Sequence, residues 1–314
     1  MNTIIKKPIA FIVGPTASGK TDLAIDICDS LPVEIISVDS VMVYKGCDIG
    51  SAKPSKNILD KYPHHLINCI RPSEIFSVSD FYNASLSLIE EIHSRNKLPL
   101  FVGGSMMYFK SLINGLDELP ARDDDYRFEL EEIKRRDGAE TLFRMLKKID
   151  PKYALGIHKS DHKRIIRALE VYKVSGKNMS SSLSHKKKNF LSEKYNLKQF
   201  GILDEDRIVL HKRIEERLRS IIEEGLVDEV KHLLNKYPIP ENHPIRKSVN
   251  YKQAFLFLKK EIEEKDFFNK ALFATRQLAK RQITWMRSWD KLEIFKIESA
   301  YKIKESTKSL ITSL

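Results

Sequence analysis

Cysteine is scarce in this 314-residue sequence, and its three cysteines, Cys28, Cys47 and Cys69, form no CxxC pair. An odd number of cysteines without paired spacing argues against a disulfide framework or a thiolate metal site. Long apolar runs are also lacking, because none approaches the roughly 18 residues that a transmembrane helix needs. The first residues lead straight into an apolar strand and show no features of a secretory signal. We therefore expect a cytoplasmic enzyme with reduced thiols and no membrane partner.

Negative charge is in deficit. The sequence has 54 Lys and Arg against 43 Asp and Glu, which gives a formal net charge of +11. Distributed positive charge favours binding of an extended polyanion such as nucleic acid, because its phosphates release counterions. A lysine-rich genomic composition would produce the same excess without any such partner, so the charge alone does not decide between the two.

The stretch GPTASGKT matches the phosphate-binding pattern GxxxxGK[ST] at every required position. An apolar strand-like run (residues 9–13) precedes it and a helical pattern follows, which is the context that the pattern requires. In such a loop the backbone N–H groups and the lysine hold phosphate oxygens, while the hydroxyl of the last residue is offered to Mg²⁺. We predict a phosphate or diphosphate site formed by Gly14, Pro15, Thr16, Ala17, Ser18, Gly19, Lys20 and Thr21.

Short apolar runs alternate with helical segments along the first part of the chain, at residues 33–40, 64–70 and 98–105, and another run occurs at 198–203. This alternation predicts an α/β fold with a parallel, P-loop NTPase-like sheet as its core. Charged helices at 123–148 and 161–175 have no clear strand between them and predict a helical insertion. We predict a core formed by 1–116 and 196–314, an insertion at 117–195, and a mobile basic loop at 178–189.

Polar residues follow two of the predicted strands. Asp39 ends the run EIISVD, and Gly103, Gly104 and Ser105 end the run LPLFVGGS. In a parallel sheet, active-site groups gather at the carboxyl ends of strands. Asp39 is accordingly predicted to hold Mg²⁺ or to act as a base, with a turn-capping role as the alternative. The methionines after Ser105 suit either the core or a soft wall for an apolar substrate tail.

Three helical segments carry basic stripes. Lys163, Arg164 and Arg167 share one face of a predicted helix, Arg213 and Arg217 lie one turn apart on another, and a third (residues 276–287) carries four further basic residues beside two tryptophans. One such stripe is typical of a solvated surface, whereas three in one basic chain favour a nucleic-acid groove.

Taken together, these residues resemble those of the bacterial tRNA dimethylallyltransferases, also called tRNA isopentenyltransferases or the IPP transferase family. The likeness extends from the first strand to about residue 290. It is carried by the segments GPTASGKT, SVDS, VYKGCDIGSAKP, HHLI, FSVSDF, VGGSMMYFKSLINGL, RIIRALEVYKVSGK and TRQLAKRQITWMRSW.

The resemblance implies a reaction. A dimethylallyl group passes from dimethylallyl diphosphate to N6 of adenosine 37 in tRNAs that read codons beginning with U. By the same likeness Asp39 accepts the N6 proton, Thr21 and Asp39 hold Mg²⁺, and Arg217, with Arg213 as its rival, stabilises the diphosphate. The adenine is flipped out of the anticodon loop to reach Asp39, and a monomer is expected.

The family likeness also implies a set of tRNA contacts, with the insertion gripping the anticodon stem-loop. The implied residues are Asp39, Ser40, Val41, Met42, Ser105, Arg127, Lys163, Arg164, Ile165, Ile166, Arg167, Arg246, Lys247, Ser248, Val249, Asn250, Tyr251, Lys280, Arg281, Gln282, Ile283, Thr284, Trp285, Met286 and Arg287. Two positions depart from the family pattern. Met42 replaces a glutamine that could hydrogen-bond the target base, and Asn250 replaces a glycine whose positive backbone angle asparagine tolerates.

Three other functions remain open from the residues alone. A P-loop kinase would use the phosphate loop but not the basic helices. A prenyltransferase acting on free adenine nucleotides would share the core chemistry but need no large basic surface. An RNA-binding module without catalysis would have no use for Lys20, Thr21 and Asp39 together.

Overall fold

The computed structural model describes residues 6–183, 191–204 and 206–312. The chain divides into two compact units, one formed by Met1–Ile113 with Phe190–Leu314 and the other by Asn114–Asn189. We call the first the core unit and the second the insertion.

A six-stranded sheet lies at the centre of the core unit, and every pair of neighbouring strands in it is parallel. The strand order is β3-β2-β4-β1-β5-β6. The strands are β1 (Pro8–Val13), β2 (Val33–Val38), β3 (His64–His65), β4 (Leu98–Gly103), β5 (Asn196–Ile202) and β6 (Glu293–Phe295). The predicted fold class, a parallel α/β sheet with P-loop-like topology, is confirmed.

Helices connect and cover these strands, and a 3₁₀ turn (Ile297–Ser299) follows β6. The helices are α1 (Lys20–Ser30), α2 (Lys56–Lys61), α3 (Val78–Ser94), α4 (Met106–Asn114), α5 (Asp124–Asp137), α6 (Ala139–Ile149), α7 (Pro151–Leu155), α8 (His162–Ser175), α9 (Met179–Ser182), α10 (Leu191–Lys194), α11 (Arg207–Glu223), α12 (Leu226–Lys236), α13 (Pro244–Lys247), α14 (Tyr251–Leu258), α15 (Glu264–Arg287) and α16 (Tyr301–Ile311). In the described part of the chain, none of these helices has both the length and the apolar character to cross a membrane.

The central strands are apolar because both of their faces are covered. Every residue of β1 and β4 is buried, as expected for a parallel sheet between two helical layers. Alternate residues face opposite layers: Phe11 and Phe101 pack against Phe109 of α4 on one face, and Ile12 packs with Ala24 of α1 on the other. This packing fixes the strand register, and with it the edge at which the carboxyl ends of β1, β2 and β4 meet.

Several local predictions need correction. Only His64–His65 of the run 64–70 forms a strand, although Ile70 makes an isolated bridge to Tyr44. The helix predicted over 123–148 is two helices, because Gly138 adopts a φ of 85° between α5 and α6. β6 was not predicted, since three residues are too few to show a pattern. Part of the predicted basic loop forms α9, and residues 184–190 lie outside the described residues.

The insertion has its own core and one buried charge. Glu170 of α8 is fully buried, and it accepts hydrogen bonds from the Arg127 guanidinium (2.5 and 3.0 Å), from Arg167 and from the Asp123 N–H (2.9 Å). Burial opposes its ionisation, but the bonds from Arg127 and Arg167 outweigh that effect and lower the pKa of Glu170 to about 2. The carboxylate therefore stays charged and ties α5 to α8.

Substitution of Arg127 by alanine should destabilise the insertion, because it leaves a buried carboxylate with fewer donors. We expect a loss of about 2 kcal/mol, below the usual range for breaking a buried ion pair because Arg167 remains. Amide hydrogen exchange in α8 measures this loss. Lys163→Ala on the exposed face of α8 is the control and should change stability by less than about 0.5 kcal/mol. Equal stability of both variants would contradict the structural role of Arg127.

Candidate active site

The phosphate loop joins β1 to α1 and presents open backbone donors. Gly19 adopts a φ of 82° and Ala17 a φ of 62°, and no side chain among the described residues caps α1. The first N–H groups of a helix lack intrahelical partners and carry its positive dipole, so they favour a bound anion. This end of α1 therefore favours a bound anion.

Gly14 and Lys20 define the inner side of the loop. A Cβ on Gly14 would lie 2.5 Å from the Ser18 hydroxyl oxygen and 3.2 Å from the Ile202 carbonyl oxygen, so a larger residue would fit only if these neighbours shifted. The Lys20 ammonium donates to the Pro15 carbonyl at 2.9 Å. The lysine is therefore folded back over the loop, and two of its three N–H groups remain for a phosphate.

A cavity of about 560 Å³ extends from the loop across the carboxyl ends of β2 and β4. One part of its wall is polar and carries Lys20, Thr21, Asp39 and Arg217; another part is apolar and is formed by Met42, Val102, Met106, Met107 and Leu278. The cavity thus places an anion-binding end beside an apolar wall, an arrangement suited to an amphiphilic ligand.

Asp39 begins the segment that leaves β2, and one of its oxygens is fixed. Its Oδ1 accepts the N–H groups of Val41 (2.8 Å) and Met42 (3.2 Å), while the Ser40 N–H donates to the Ser105 hydroxyl (3.1 Å). The turn-capping interpretation is therefore correct for Oδ1, but it does not use Oδ2. A half-buried carboxylate held in this way has one oxygen available for chemistry.

Two basic groups face Asp39 across the polar end. Burial, together with the nearby charge of Arg217, lowers the pKa of Lys20 to about 8, and Asp39 opposes this shift. Burial also lowers the pKa of Arg217, again opposed by Asp39 and by Asp22. Two cations so close to each other repel, and a bound dianion would relieve the repulsion.

The choice between the two arginines of α11 follows from their partners. Arg217 lines the cavity and donates to the Ala52 carbonyl at 3.1 Å. Arg213 forms an ion pair with Asp204 at 2.7 Å and does not line this cavity; it lines only a neighbouring depression, which Arg217, Lys20 and Thr21 line as well. Arg217 is therefore the better placed of the two to contact an anion in this cavity.

Oxygen donors for a hard cation are few. No group of three or more His, Cys, Asp or Glu side chains within residues 6–183, 191–204 and 206–312 is arranged to hold a metal. The Thr21 hydroxyl and the Asp39 carboxylate both line the cavity, and these are ligand types that Mg²⁺ accepts when substrate phosphates and water complete its shell. The residues present fit a cation bound jointly with a phosphate ligand.

Comparison with known proteins identifies the family. The model of the family described as IPP transferase matches residues 42–289. The chain belongs to the IPP transferase family. A tRNA dimethylallyltransferase of Acinetobacter baumannii is 43% identical over 294 residues, which covers 92% of this chain and 93% of the relative. The resemblance inferred from the motifs is thus confirmed.

Solved structures agree with this assignment to the IPP transferases. A full-length tRNA isopentenylpyrophosphate transferase from Bacillus halodurans is 35% identical with a TM-score of 0.70, covering 98% of this chain and 97% of that one. A eukaryotic dimethylallyltransferase, described as acting on tRNA, is 25% identical with a TM-score of 0.78, covering 97% of this chain and 78% of that one.

The tRNA contacts expected in the core unit of this IPP transferase separate by their surroundings in the structure. Ser40, Val41, Lys247, Ser248, Val249, Arg281 and Trp285 line the cavity with Asp39, Met42, Ser105, Asn250 and Tyr251. Arg246 is instead occupied internally: it donates twice to the Ile239 carbonyl (3.1 and 2.8 Å). Met286 is buried in the core, Ile283 is half-buried against another core cluster, and Lys280, Thr284 and Arg287 are exposed on α15.

The contacts expected in the insertion separate in the same way. Lys163 and Arg164 are exposed on α8, whereas the side chains of Ile165 and Ile166 are buried in the core of the insertion. Those two side chains are not available to an external ligand. Arg127 and Arg167 are tied to Glu170, as described above, so their charge is largely balanced within the fold.

The structure shows the surroundings of Met42 and Asn250, the two residues that depart from the family pattern. The Met42 sulfur lies 4.0 Å from the Ser37 hydroxyl and lines the cavity. Asn250 adopts φ 70° and ψ −55°, a positive φ as expected, but in the strained γ-turn region rather than the left-handed helical one. Its side-chain amide donates to the Gly50 carbonyl at 2.9 Å, so asparagine adds a contact here that glycine cannot make.

Gln282 of α15 has a role that the sequence did not suggest. Its Oε1 accepts the Thr16 N–H at 3.0 Å, and its Nε2 donates to the Gly104 carbonyl at 2.9 Å. The side chain is buried, and its amide bridges the phosphate loop and the end of β4. The family likeness places this residue among the tRNA contacts, whereas in the structure its polar atoms bind the protein backbone.

Substitution Gln282→Met should weaken binding of inorganic diphosphate by about tenfold, because two hydrogen bonds that hold the loop are lost. Isothermal calorimetry measures the affinity. Gln277→Met on the same helix is the control, since Gln277 does not line the cavity, and it should bind as the wild type does. Unchanged affinity in Gln282→Met would show that the loop holds its shape without this bridge.

Proposed function

We propose that this IPP transferase moves the dimethylallyl group of dimethylallyl diphosphate to N6 of adenosine 37 in tRNAs that read codons beginning with U, releasing diphosphate. The observation that supports this most directly is a single cavity that joins a phosphate cradle, an apolar wall and a fixed carboxylate. The Acinetobacter baumannii relative carries the name of this activity.

The phosphate cradle stabilises the leaving diphosphate. As the allylic C–O bond breaks, negative charge grows on the diphosphate, and preorganised donors at that position lower the barrier. The N–H groups at the start of α1, the Lys20 ammonium and the Arg217 guanidinium supply them. The apolar wall formed by Met42, Met106 and Met107 receives the five-carbon chain and keeps water from the developing allylic cation.

Asp39 activates the adenine amine as the nucleophile. The exocyclic amine of adenine is a weak nucleophile and must lose a proton as it bonds to carbon. Asp39 takes that proton on Oδ2, while its Oδ1 remains bonded to the turn. The base must be flipped from the anticodon loop to reach this depth. The Ser40–Ser105 hydrogen bond holds the segment that follows Asp39.

The exposed basic residues bind the tRNA acceptor through its phosphates. Lys163 and Arg164 on the insertion and Lys280 and Arg281 on α15 lie on surfaces where an RNA backbone could contact them. Phosphate contacts of this kind give most of the affinity and position the nucleic acid. A free adenine nucleotide would need none of them, which favours a tRNA anticodon stem-loop.

Mg²⁺ would fit the same end of the cavity, where the Thr21 hydroxyl is an oxygen donor and Asp39, whose available oxygen serves as the base, contributes its charge rather than a direct bond. When bound with the diphosphate, it would neutralise charge on the leaving group.

The test uses Asp39→Asn, which keeps an acceptor for the two turn N–H groups but removes the base. Wild type, incubated with Mg²⁺, dimethylallyl diphosphate and unmodified tRNA, should add five carbons to one adenosine, measured by mass after nuclease digestion. The variant should bind diphosphate but transfer on the order of 10²–10⁴ times more slowly. Asp60→Asn, on the exposed helix α2, should behave as wild type.

Two outcomes would contradict the proposal. Full activity of Asp39→Asn would remove the base from the mechanism. A wild-type protein that leaves tRNA unmodified but transfers phosphate from ATP to a small acceptor would make it a kinase.

A pH dependence follows from Lys20. The free protein binds diphosphate with the protonated amine, whose pKa is lowered to about 8 by burial and by Arg217. As the pH rises through that value, the charge is lost, so kcat/KM for dimethylallyl diphosphate should fall above about pH 8. The bound anion raises the pKa of Lys20 again, so kcat should remain level over the same range. A flat kcat/KM from about pH 7 to about pH 9 would contradict this assignment.

A further inference from the structure

The loop 48–53, between β2 and α2, forms one wall of the reaction cavity. Gly50 and Ser51 line the cavity, and the carbonyl of Ala52 accepts a hydrogen bond from Arg217 Nη2 at 3.1 Å. Four N–H groups of a guanidinium remain once one is fixed in this way. The direction in which Arg217 presents them therefore depends on where the loop holds the Ala52 carbonyl.

Glu229 of α12 holds the first half of this loop. Its Oε2 accepts the N–H groups of Asp48 (2.8 Å) and Ile49 (2.6 Å), and its Oε1 accepts the N–H of Gly50 (3.1 Å) and the Tyr251 hydroxyl (2.7 Å). Three successive backbone N–H groups that converge on one point form an anion-binding nest. Here the protein's own carboxylate occupies that nest.

Other contacts limit the movement of the loop on either side of the nest. The Lys53 ammonium, almost fully buried, donates to Asp48 Oδ1 (2.6 Å), to Asn68 Oδ1 (2.7 Å) and to the Tyr44 carbonyl (3.0 Å). A Cβ on Gly50 would lie 2.7 Å from the Tyr251 ring, so the loop packs tightly on α14. A displacement at Glu229 would therefore be passed along the loop to Ala52.

We propose that Glu229, which does not line the cavity, is a positioning residue for the transfer reaction: it fixes loop 48–53 so that the Ala52 carbonyl aims Arg217 at the leaving diphosphate. This inference rests on the proposed function. It concerns a carboxylate that touches neither substrate and acts through the loop.

The chemistry of the nest explains why the residue must be a carboxylate. All four groups that contact Glu229 act as donors, three of them backbone N–H groups whose direction cannot change. An amide in its place has only one oxygen, so in either orientation its NH₂ group meets at least one N–H. Glu229→Gln is nearly the same size as the native residue but cannot satisfy the nest.

The experiment is a double-mutant cycle between Glu229→Gln and Arg217→Ala, with the affinity for inorganic diphosphate measured by calorimetry. Glu229→Gln alone should weaken binding by about tenfold, the size expected when partly buried donors lose their acceptor. In the Arg217→Ala background it should weaken binding less than about twofold, because the residue through which it acts has been removed. Asp228→Asn, next to it but exposed and paired with Lys231, should have no effect.

Steady-state kinetics supply a second readout. Glu229→Gln should lower kcat/KM for dimethylallyl diphosphate, whereas in the Arg217→Ala background it should leave this constant nearly unchanged, a dependence that general destabilisation would not produce. If the glutamine variant does not fold, Glu229→Asp serves instead, because it keeps the charge and shortens the reach by one methylene. For that variant a smaller loss, again absent in the Arg217→Ala background, is expected.

The inference fails if Glu229→Gln binds diphosphate as tightly as wild type, or if its full loss persists when Arg217 is already alanine. Wild-type transfer to tRNA is measured in parallel. Lack of transfer by the wild type would contradict the proposed function. The double-mutant cycle with diphosphate tests the coupling between Glu229 and Arg217 independently of that result.

Discussion

The hydrogen bond from the Gly14 N–H to the Gly103 carbonyl, at 3.2 Å, joins the ends of β1 and β4, and the rest of the site depends on this closeness. Gly103 also pairs in register with Val38 at the end of β2, and a Cβ on it would lie 2.1 Å from the Val38 carbonyl oxygen. Three strand ends therefore meet without any intervening side chain. The phosphate loop, Asp39 and Ser105 follow directly from these ends, so they become neighbours although the chain separates them widely.

Charged side chains have two different roles in this protein. Some charged groups stabilise the fold from inside: Glu170 joins two helices of the insertion, Arg246 holds a loop carbonyl, and Lys53 is almost fully buried. Others remain on exposed helical faces. The count of 54 Lys and Arg therefore overstates the number of basic side chains available to a polyanion, because the fold has already engaged several of them.

How far the sequence predicts the site depends on how many positions separate the interacting residues along the chain. The phosphate loop and Asp39 could be located because their signals are local: a glycine spacing, and an acidic residue at a strand end. The bridge from Gln282 to Thr16 spans 266 positions, and the contact of Glu229 with the Ile49 N–H spans 180. The sequence around Gln282 or Glu229 gives no sign of a special role. Each residue acts by binding backbone groups of a distant segment, which only the fold brings close to it. The family-derived list of tRNA contacts runs through consecutive positions, and so it includes Ile165 and Ile166, which the helical period turns toward the core of the insertion.

The contact between the Lys20 ammonium and the Pro15 carbonyl has a consequence for selectivity. It holds the ammonium over the loop and uses one of its three N–H groups, so two remain for an anion that enters the cradle. A dianion that also reaches Arg217 meets two cations, whereas a small monoanion bound at the loop meets only one, so the site favours a diphosphate over weakly charged anions.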